Sequence, residues 1–433
     1  MSKSTIKIGI LGCGTVGSGL VTITQRYNKA GRIPKIEIAK IFVRNEKRAK
    51  EISEKHGIDL KLFTWNIDEV ISNSEIDIVV ELMGGVTETK THLLKALANG
   101  KDIVTANKDL LAIEGEALFE SAKKHGKTIL YEAAVAGGIP IISTLKQSLQ
   151  GNKIEKIFGI INGTTNYILD VMKSENRSFD EVLKRAQELG FAEADPVNDV
   201  DGHDAAYKIA ILASIISNKR VDVKKVYRDG IRNISQADIK SADKRGFEIK
   251  LLGLIDNTGD QLDVRVHPVF VPKLNPLASV KMENNAILIQ GDAVKELTII
   301  GKGAGSLPTA SSVFGDILIL ASQFEQGASK PNPQFACMHT HYADIKDFDD
   351  VKNSFYVRVS MHDKVGVLKD LGEIMARNEA NVKFIDQYDV SGAEAHGDFI
   401  IDPVLEKSMK KIISEIKALD SIKAVESVIR VLV

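Results

Sequence analysis

Six residues near the start, Gly12-Cys13-Gly14-Thr15-Val16-Gly17, leave the chain few folds to adopt. They follow directly on an apolar run, Ile6 to Leu11, dense enough for a parallel strand buried on both faces. They lead into LVTITQRY, which continues as a helix. A GxGxxG alone is a weak signal, but between a first strand and a first helix it marks a dinucleotide site. Gly12 permits the tight turn, Gly14 lets the backbone approach a pyrophosphate, and Gly17 brings helix and strand together. The phosphates then lie at the helix N-terminus, beside Thr15 and Val16.

Strand and helix patterns go on alternating, which predicts an α/β Rossmann domain over residues 1–150. The second strand, IEIAKIFV, ends at Arg44. An acidic residue there would hold the ribose 2′-OH of NAD, whereas an arginine accepts a 2′-phosphate, and Lys47 and Arg48 follow. The reading therefore favours NADP, with NAD the alternative. IDIVVELMGG, KDIVTANK and TILYEAAVAG read as further strands. Ligands of open α/β sheets sit beyond the carboxyl ends of the strands, and the KDIVTANK strand is expected to present Asn107 and Lys108 there. Tyr131 to Pro140, YEAAVAGGIP, is a glycine-rich turn whose backbone carbonyls could hold a cation or line the site; both readings stand open.

A length of 433 residues calls for two or three domains. With 57 basic and 58 acidic side chains, nothing points to nucleic acid or an anionic membrane as partner. The opening MSKSTIKIGILG lacks the apolar core of a signal peptide, and no run approaches the roughly 18 uncharged apolar residues of a membrane span. Cys13 and Cys337 are too few for a disulfide framework and lack metal-ligand spacing, so the expected compartment is the reducing cytoplasm. Whether either has a redox role stays open.

Residues 151–305 read as an α+β substrate and dimerisation domain. A strand, IEKIFGII, runs into Asn162-Gly163-Thr164-Thr165-Asn166, a polar turn suited to cap a helix and face a cleft. After the helix FDEVLKRAQELG comes the most acidic stretch of the chain, Ala186 to Lys208, with Glu188, Glu193, Asp195, Asp199, Asp201 and Asp204 before the single cation Lys208. A helix is expected to begin near His203 with Asp201 as its cap. Asp204 and Lys208, four apart, would then share a face and set an ammonium beside a carboxylate. Taken alone, that is an ordinary surface ion pair. Strand patterns at Phe247 to Ile255, Leu262 to Val271, Ala286 to Gln290 and Leu297 to Gly301 predict an antiparallel sheet. Its open face suggests a homodimer or larger. Gly301 to Gly305, GKGAG, is a connector or part of the site, and the helix that follows, over 306–328, is expected to return and complete the nucleotide domain.

Residues 329–352, with Pro331, Pro333 and an acidic run, read as a linker. His339 and His341 have metal-ligand spacing without obvious partners and are read as solvated or structural. Residues 353–433 follow a βαββαβ order that resembles the ACT regulatory domain. His362 to Leu368 forms the usual ligand turn, so the implied effector contacts are Asp363, Gly366, Val367 and Leu368. Val365 stands where many members carry proline.

The string from Ala186 to Lys208, complete in its Ala, Gly, Asp-Pro, Asp, Gly, Asp and Lys positions, resembles the signature of homoserine dehydrogenases. GCGTVG, TANK, NGTTNYIL and GKGAGSLPTASSV are similar to that family too, so the resemblance spans the whole chain. It implies NAD(P)-dependent interconversion of L-homoserine and L-aspartate 4-semialdehyde, on the route from aspartate to threonine and methionine. It further implies Lys208 as proton donor and acceptor, with Asp204 binding substrate and orienting that lysine. Glu193 would hold the substrate amino group, Lys108 would lie against nicotinamide and substrate hydroxyl, and Gly305 would touch the cofactor. A structural sodium ion is implied at Glu132, Val135, Gly137 and Ile139, and L-threonine as feedback inhibitor, acting in a homodimer or homotetramer.

The chemistry agrees with these residue types. Charge develops on the aldehyde oxygen during reduction, and a nearby ammonium both stabilises and protonates it. Two other readings share parts of the pattern. Another dehydrogenase of amino-acid aldehydes would keep GxGxxG and the ACT tail but not the acidic string. A non-catalytic NADP-binding sensor would be expected to have lost Lys208 or Asp204.

Overall fold

The computed structural model describes residues 5–325, 341–391 and 394–432. In chain order the strands are β1 (Thr5–Leu11), β2 (Lys35–Phe42), β3 (Phe63–Thr64), β4 (Ile78–Glu81), β5 (Asp102–Thr105), β6 (Ile129–Leu130), β7 (Ile154–Ile160), β8 (Tyr227–Arg228), β9 (Phe247–Asp256), β10 (Asp263–Pro272), β11 (Asn284–Gly291), β12 (Lys295–Lys302), β13 (Lys352–His362), β14 (Val382–Ser391), β15 (Glu394–Leu405) and β16 (Ile422–Val431). The chain divides into two compact units.

One unit comprises Met1–Glu155, Tyr207–Lys225 and Asn285–Ala343. Its parallel sheet has the order β3-β2-β1-β4-β5-β6, the doubly wound arrangement of dinucleotide-binding folds. β4 and β5 are buried along their whole length, as expected of parallel strands covered on both faces. The helix Ser306–Glu325 does return to this sheet. Ala310, Val313, Ile317 and Leu320 join Ile8, Ile10, Leu20 and Val21 in one core. Over Ser306–Phe324 this helix is long and apolar enough to cross a membrane, at a mean hydropathy of 1.2, which the sequence reading had not registered. Its apolar side is spent on the nucleotide sheet. β11 and β12 pair as neighbours and deliver the chain into the GKGAG turn.

The other unit comprises Lys156–Ala206, Val226–Asn284 and Asp344–Val433. There the strand order runs β7-β9-β10-β16-β13-β15-β14. β7, β9 and β10 are antiparallel, as expected. Two parallel joins, β8 and β16 on β10, were not foreseen, because nothing in local periodicity reports a partner so distant in sequence. β13, the helix Val367–Arg377, β14, β15, the helix Glu406–Lys417 and β16 form the βαββαβ ACT fold. Its core is built from Phe355, Val357, Leu371, Phe399, Met409 and Ile412 among others.

A polar seam ties this fold to the helix Gln236–Lys244, which precedes β9. Arg358 of β13 donates to Asp238 at 3.1 Å and to Ser235 at 3.0 Å, and also pairs with Glu426. Arg245 meets Asp398 of β15 at 3.0 Å. Arg430 of β16 holds Glu406 with two nitrogen–oxygen contacts of 2.9 Å. The Pro331, Pro333, Cys337 and His339 readings lie outside the described residues.

Candidate active site

Gly12 ends β1 with φ +93 and donates its N–H to Phe42 O at 2.9 Å. A side chain at Gly17 would meet Gly12 O at 2.5 Å, so the turn is as tight as the motif requires. Nothing lies within 4 Å of where a Gly14 side chain would stand. No side chain caps the helix Thr15–Lys29. Uncapped N–H groups facing open space suit a pyrophosphate. A cavity of about 360 Å³ opens here, lined by Gly14, Thr15, Ser18, Arg48, Lys55 and Ser306 among others.

Arg44 is exposed and is not among the lining residues; Arg48 and Lys55, on the helix Glu46–His56, are. Of the cations the sequence offers here, Arg44 stands off the cavity, whereas Arg48, which follows it, and Lys55 are brought to it by the helix Glu46–His56. Ser306 Oγ donates to Thr15 O at 2.7 Å, which seats Gly305, at φ +115, beside the same turn. Cys13 also borders the cavity, with its thiol pushed up to about 11 by burial.

At the carboxyl ends of the neighbouring strands the organising group is Glu81, which the sequence reading passed over. Its buried carboxylate accepts from Thr105 Oγ1 at 2.6 Å and from the N–H groups of Met83 and Gly84 at 2.8 and 3.0 Å. Burial pushes this carboxyl above its ordinary range, and the donors Thr105, Met83, Gly84 and Asn107 around it pull the other way. A charged residue closing an otherwise apolar strand before two glycines was the available signal. β5 stops at Thr105, so Lys108 is not a strand end; it is the first residue of the helix Lys108–His125. Asn107 caps that helix by accepting Leu110 N–H at 3.1 Å, and its amide donates to Gly85 O at 2.7 Å. Lys108 is half-buried there.

In the YEAAVAGGIP loop the carboxylate of Glu132 accepts the N–H groups of Ile142 and Ser143, both at 2.7 Å. The Glu132 N–H in turn donates to Asp316 at 2.8 Å. Burial raises both carboxyls, Asp316 well above the usual range, and the charge on Glu132 raises Asp316 further. Val135, Gly137 and Ile139 are buried, with Gly137 at φ +53. Each Glu132 oxygen keeps a lone pair beyond the bond it makes. The other three positions offer backbone carbonyls, so the donor set is all oxygen and fits a hard cation. Among the described residues no group of three His, Cys, Asp or Glu is arranged for a metal.

The acidic stretch is arranged around an asparagine. Asn162 follows β7 and caps the helix Gly163–Glu175, its Oδ1 accepting Thr165 N–H at 2.9 Å and Thr165 Oγ1 at 3.0 Å. Its Nδ2 donates to Asp199 Oδ1 at 2.7 Å and to Asp204 Oδ2 at 2.9 Å. Asp204 is buried in the first turn of the helix His203–Ser217. Lys208, half-buried, comes four residues later on the same helix. Asp201 is not the cap it was expected to be: Arg232 takes its carboxylate, at 2.5 and 3.2 Å, and Gly202 directly precedes the helix. Glu193 is exposed, on a loop fixed by Gln187 Nε2 on the carbonyls of Glu193 and Ala194 and by Thr164 Oγ1 on Phe191 O. Asn166, at the end of the NGTTN turn, receives Lys250 Nζ at 2.9 Å. Burial lowers that lysine to about 8.

In the ACT fold, Gly366 at φ +100 starts the helix Val367–Arg377, which has no side-chain cap. Asp363 and Leu368 are exposed and Val367 is buried, and Gln387 Nε2 reaches Asp363 at 3.5 Å.

Three family models match the chain: the homoserine dehydrogenase NAD-binding domain over residues 12–132, homoserine dehydrogenase over 140–318 and the ACT domain over 355–421. A homoserine dehydrogenase of Synechocystis sp. is 42% identical over 437 residues, covering 99% of this chain and 100% of that protein. One of Bacillus subtilis is 36% identical, covering 98% of each. The crystal structure of a homoserine dehydrogenase from Thiobacillus denitrificans superposes with a TM-score of 0.92 at 36% identity, covering 99% of this chain and 98% of the other. A hyperthermophilic archaeal homoserine dehydrogenase in complex with NADPH gives a TM-score of 0.63 at 27% identity, covering 76% of this chain and all of that one.

Proposed function

The chain belongs to the homoserine dehydrogenase family, and from that premise we propose how its residues divide the work of an NAD(P)-dependent oxidoreductase. The observation that carries the assignment is the helix His203–Ser217. It begins with a buried carboxylate, Asp204, already held by a neutral donor, and presents Lys208 one turn later. The nicotinamide, when bound, supplies or takes the hydride. Lys208 gives its proton to the aldehyde oxygen as charge develops there, and takes it back from the homoserine hydroxyl in the other direction. Asp204 holds the substrate and orients that lysine. Glu193 receives the substrate amino group, and Lys108 lies against nicotinamide and hydroxyl.

For the cofactor, the GCGTVG turn takes the pyrophosphate and Gly305 contacts it. Arg48 and Lys55, with Arg44 nearby, favour the 2′-phosphate of NADP over NAD. The NADPH carried by the archaeal relative supports this reading. Sodium at Glu132, Val135, Gly137 and Ile139 would offset two adjacent buried carboxyls. L-threonine would be received at the uncapped helix of Gly366, whose N–H groups suit its carboxylate. A homodimer or homotetramer in the cytoplasm completes the proposal, and the broad sheet of the second unit supports the assembly.

Homoserine-dependent absorbance growth at alkaline pH, run in parallel with NADP and NAD, is expected to show reduction of the cofactor, faster with NADP. No reduction, with NADP still binding, would move the sensor reading to first place; an NAD preference would remove the phosphate role of Arg48 and Arg44. Millimolar threonine is expected to slow the reaction and raise the melting temperature. If neither changes, the ACT fold serves assembly alone.

A further inference from the structure

We infer that Asn162 is a positioning residue of the reaction: one carboxamide fixes both Asp199 and Asp204 and locks them to the start of the helix Gly163–Glu175. The inference rests on the proposed role of Asp204 and deepens it. Every hydrogen-bonding position of this side chain is used. The oxygen accepts from the Thr165 N–H and hydroxyl, and the two amide protons go to Asp199 and Asp204. That pattern fixes the orientation of the amide, since a flipped group would set its oxygen against two carboxylates and its protons against a donor N–H.

Asn162 is 5% exposed, Thr165 1% and Asp204 8%, so the cap and the bond to Asp204 are shielded from bulk water, while Asp199 is half-buried at the edge of the arrangement. One neutral amide with two donor protons can hold two acceptors at once, which a single hydroxyl cannot. Asn162 is also mechanically fixed. It is separated from the end of β7 by the buried Ile161 alone, and the adjoining Gly163 lies so close to Glu283 that a side chain would meet its carbonyl at 2.7 Å. At the far end of the NGTTN turn, Asn166 is pinned by Lys250 and donates to Met282 O at 2.7 Å. The NGTTN turn is therefore a rigid bracket, and the bond to Asp204 passes that rigidity to the first turn of the helix that carries Lys208. Displacing a reacting group by about 1 Å can cost on the order of 10²-fold in rate.

Asn162→Ser and Asn162→Asp separate positioning from folding, because serine and aspartate both keep an acceptor for the helix N-terminus and lose the paired amide donors. The expected result for both is a fall in kcat of about 10²-fold, a KM for homoserine changed by less than about fivefold, and NADP binding unchanged. Asp204→Asn is measured alongside. If Asp204→Asn itself retains turnover, the assignment of the site is wrong. If Asp204→Asn collapses while Asn162→Ser keeps kcat within about threefold, the positioning role is overturned. A lower melting temperature with full kcat per folded molecule overturns it too, since that is what a cap alone would produce. Asn162→Ser, which adds no third carboxylate, decides the matter where Asn162→Asp folds poorly.

Discussion

Lys208→Ala is expected to lower kcat by about 10²- to 10⁴-fold while NADP binds nearly as it does to the parent enzyme. The side chain stands one turn after Asp204, on a helix that buries Ile209, Leu212 and Ala213. Alanine is a strong helix former, so the truncation removes an ammonium without disturbing the scaffold. The cofactor cavity is built from the GCGTVG turn, Arg48, Lys55 and Ser306, so NADP affinity should not follow the loss. Steady-state kinetics in both directions, with cofactor binding followed by fluorescence, checks this. A variant that kept most of its turnover would take the proton transfer away from Lys208.

Asp238→Ala is expected to cost about 3–5 kcal/mol in urea unfolding. Asp238 is fully buried, and its carboxylate serves two purposes. One oxygen receives Arg358 Nε at 3.1 Å; the other accepts the N–H and hydroxyl of Ser235, at 2.9 and 2.7 Å, closing a capping box on the helix Gln236–Lys244. Alanine would leave a 7%-exposed guanidinium with Glu426 as its remaining acid and remove the carboxylate half of the capping box, while the Ser235 hydroxyl keeps the backbone N–H of residue 238. A loss below about 1 kcal/mol would mean that Glu426 alone satisfies the arginine, and that the seam between the ACT fold and this helix is weaker than its geometry suggests.

The chain announced its fold where the signal is local. A run of apolar residues ending in GCGTVG leaves a strand, a tight turn and a helix as the economical solution, and the alternation that follows extends it into a doubly wound sheet. The βαββαβ order of the tail is equally local. What escaped notice was set by tertiary partners. Asn162 is 37 residues from Asp199 and 42 from Asp204, so no window of sequence contains the cluster they form. Asp201 has the chemistry of a cap, but Arg232 claims it from 31 residues away. Arg44 occupies the expected strand end, yet the cations that reach the cavity ride on the next helix, whose rotation the pattern does not report. Glu81 hid inside a strand whose other residues are all apolar. The candidate site was legible as a set of residue types, and its arrangement was not.

β16 joins β10 through Val269 beside Arg430 and Phe270 beside Val431. A ribosome delivers these partners roughly ten seconds or more apart at ordinary elongation rates. Through that interval the nascent β10 has antiparallel β9 along one edge and, on the other, only the short β8 beside Arg265 and Val266, with nothing yet synthesised to pair Val269 and Phe270, although Val269, Phe270 and Val271 are among the most buried residues of the finished sheet. An unpaired apolar edge of this kind invites pairing with other chains. β16 thus seals an edge laid down far earlier in the chain. Removing the ACT fold from this chain would uncover the β10 edge at Val269 and Phe270, so the tail is part of the sheet it borders as well as a fold of its own.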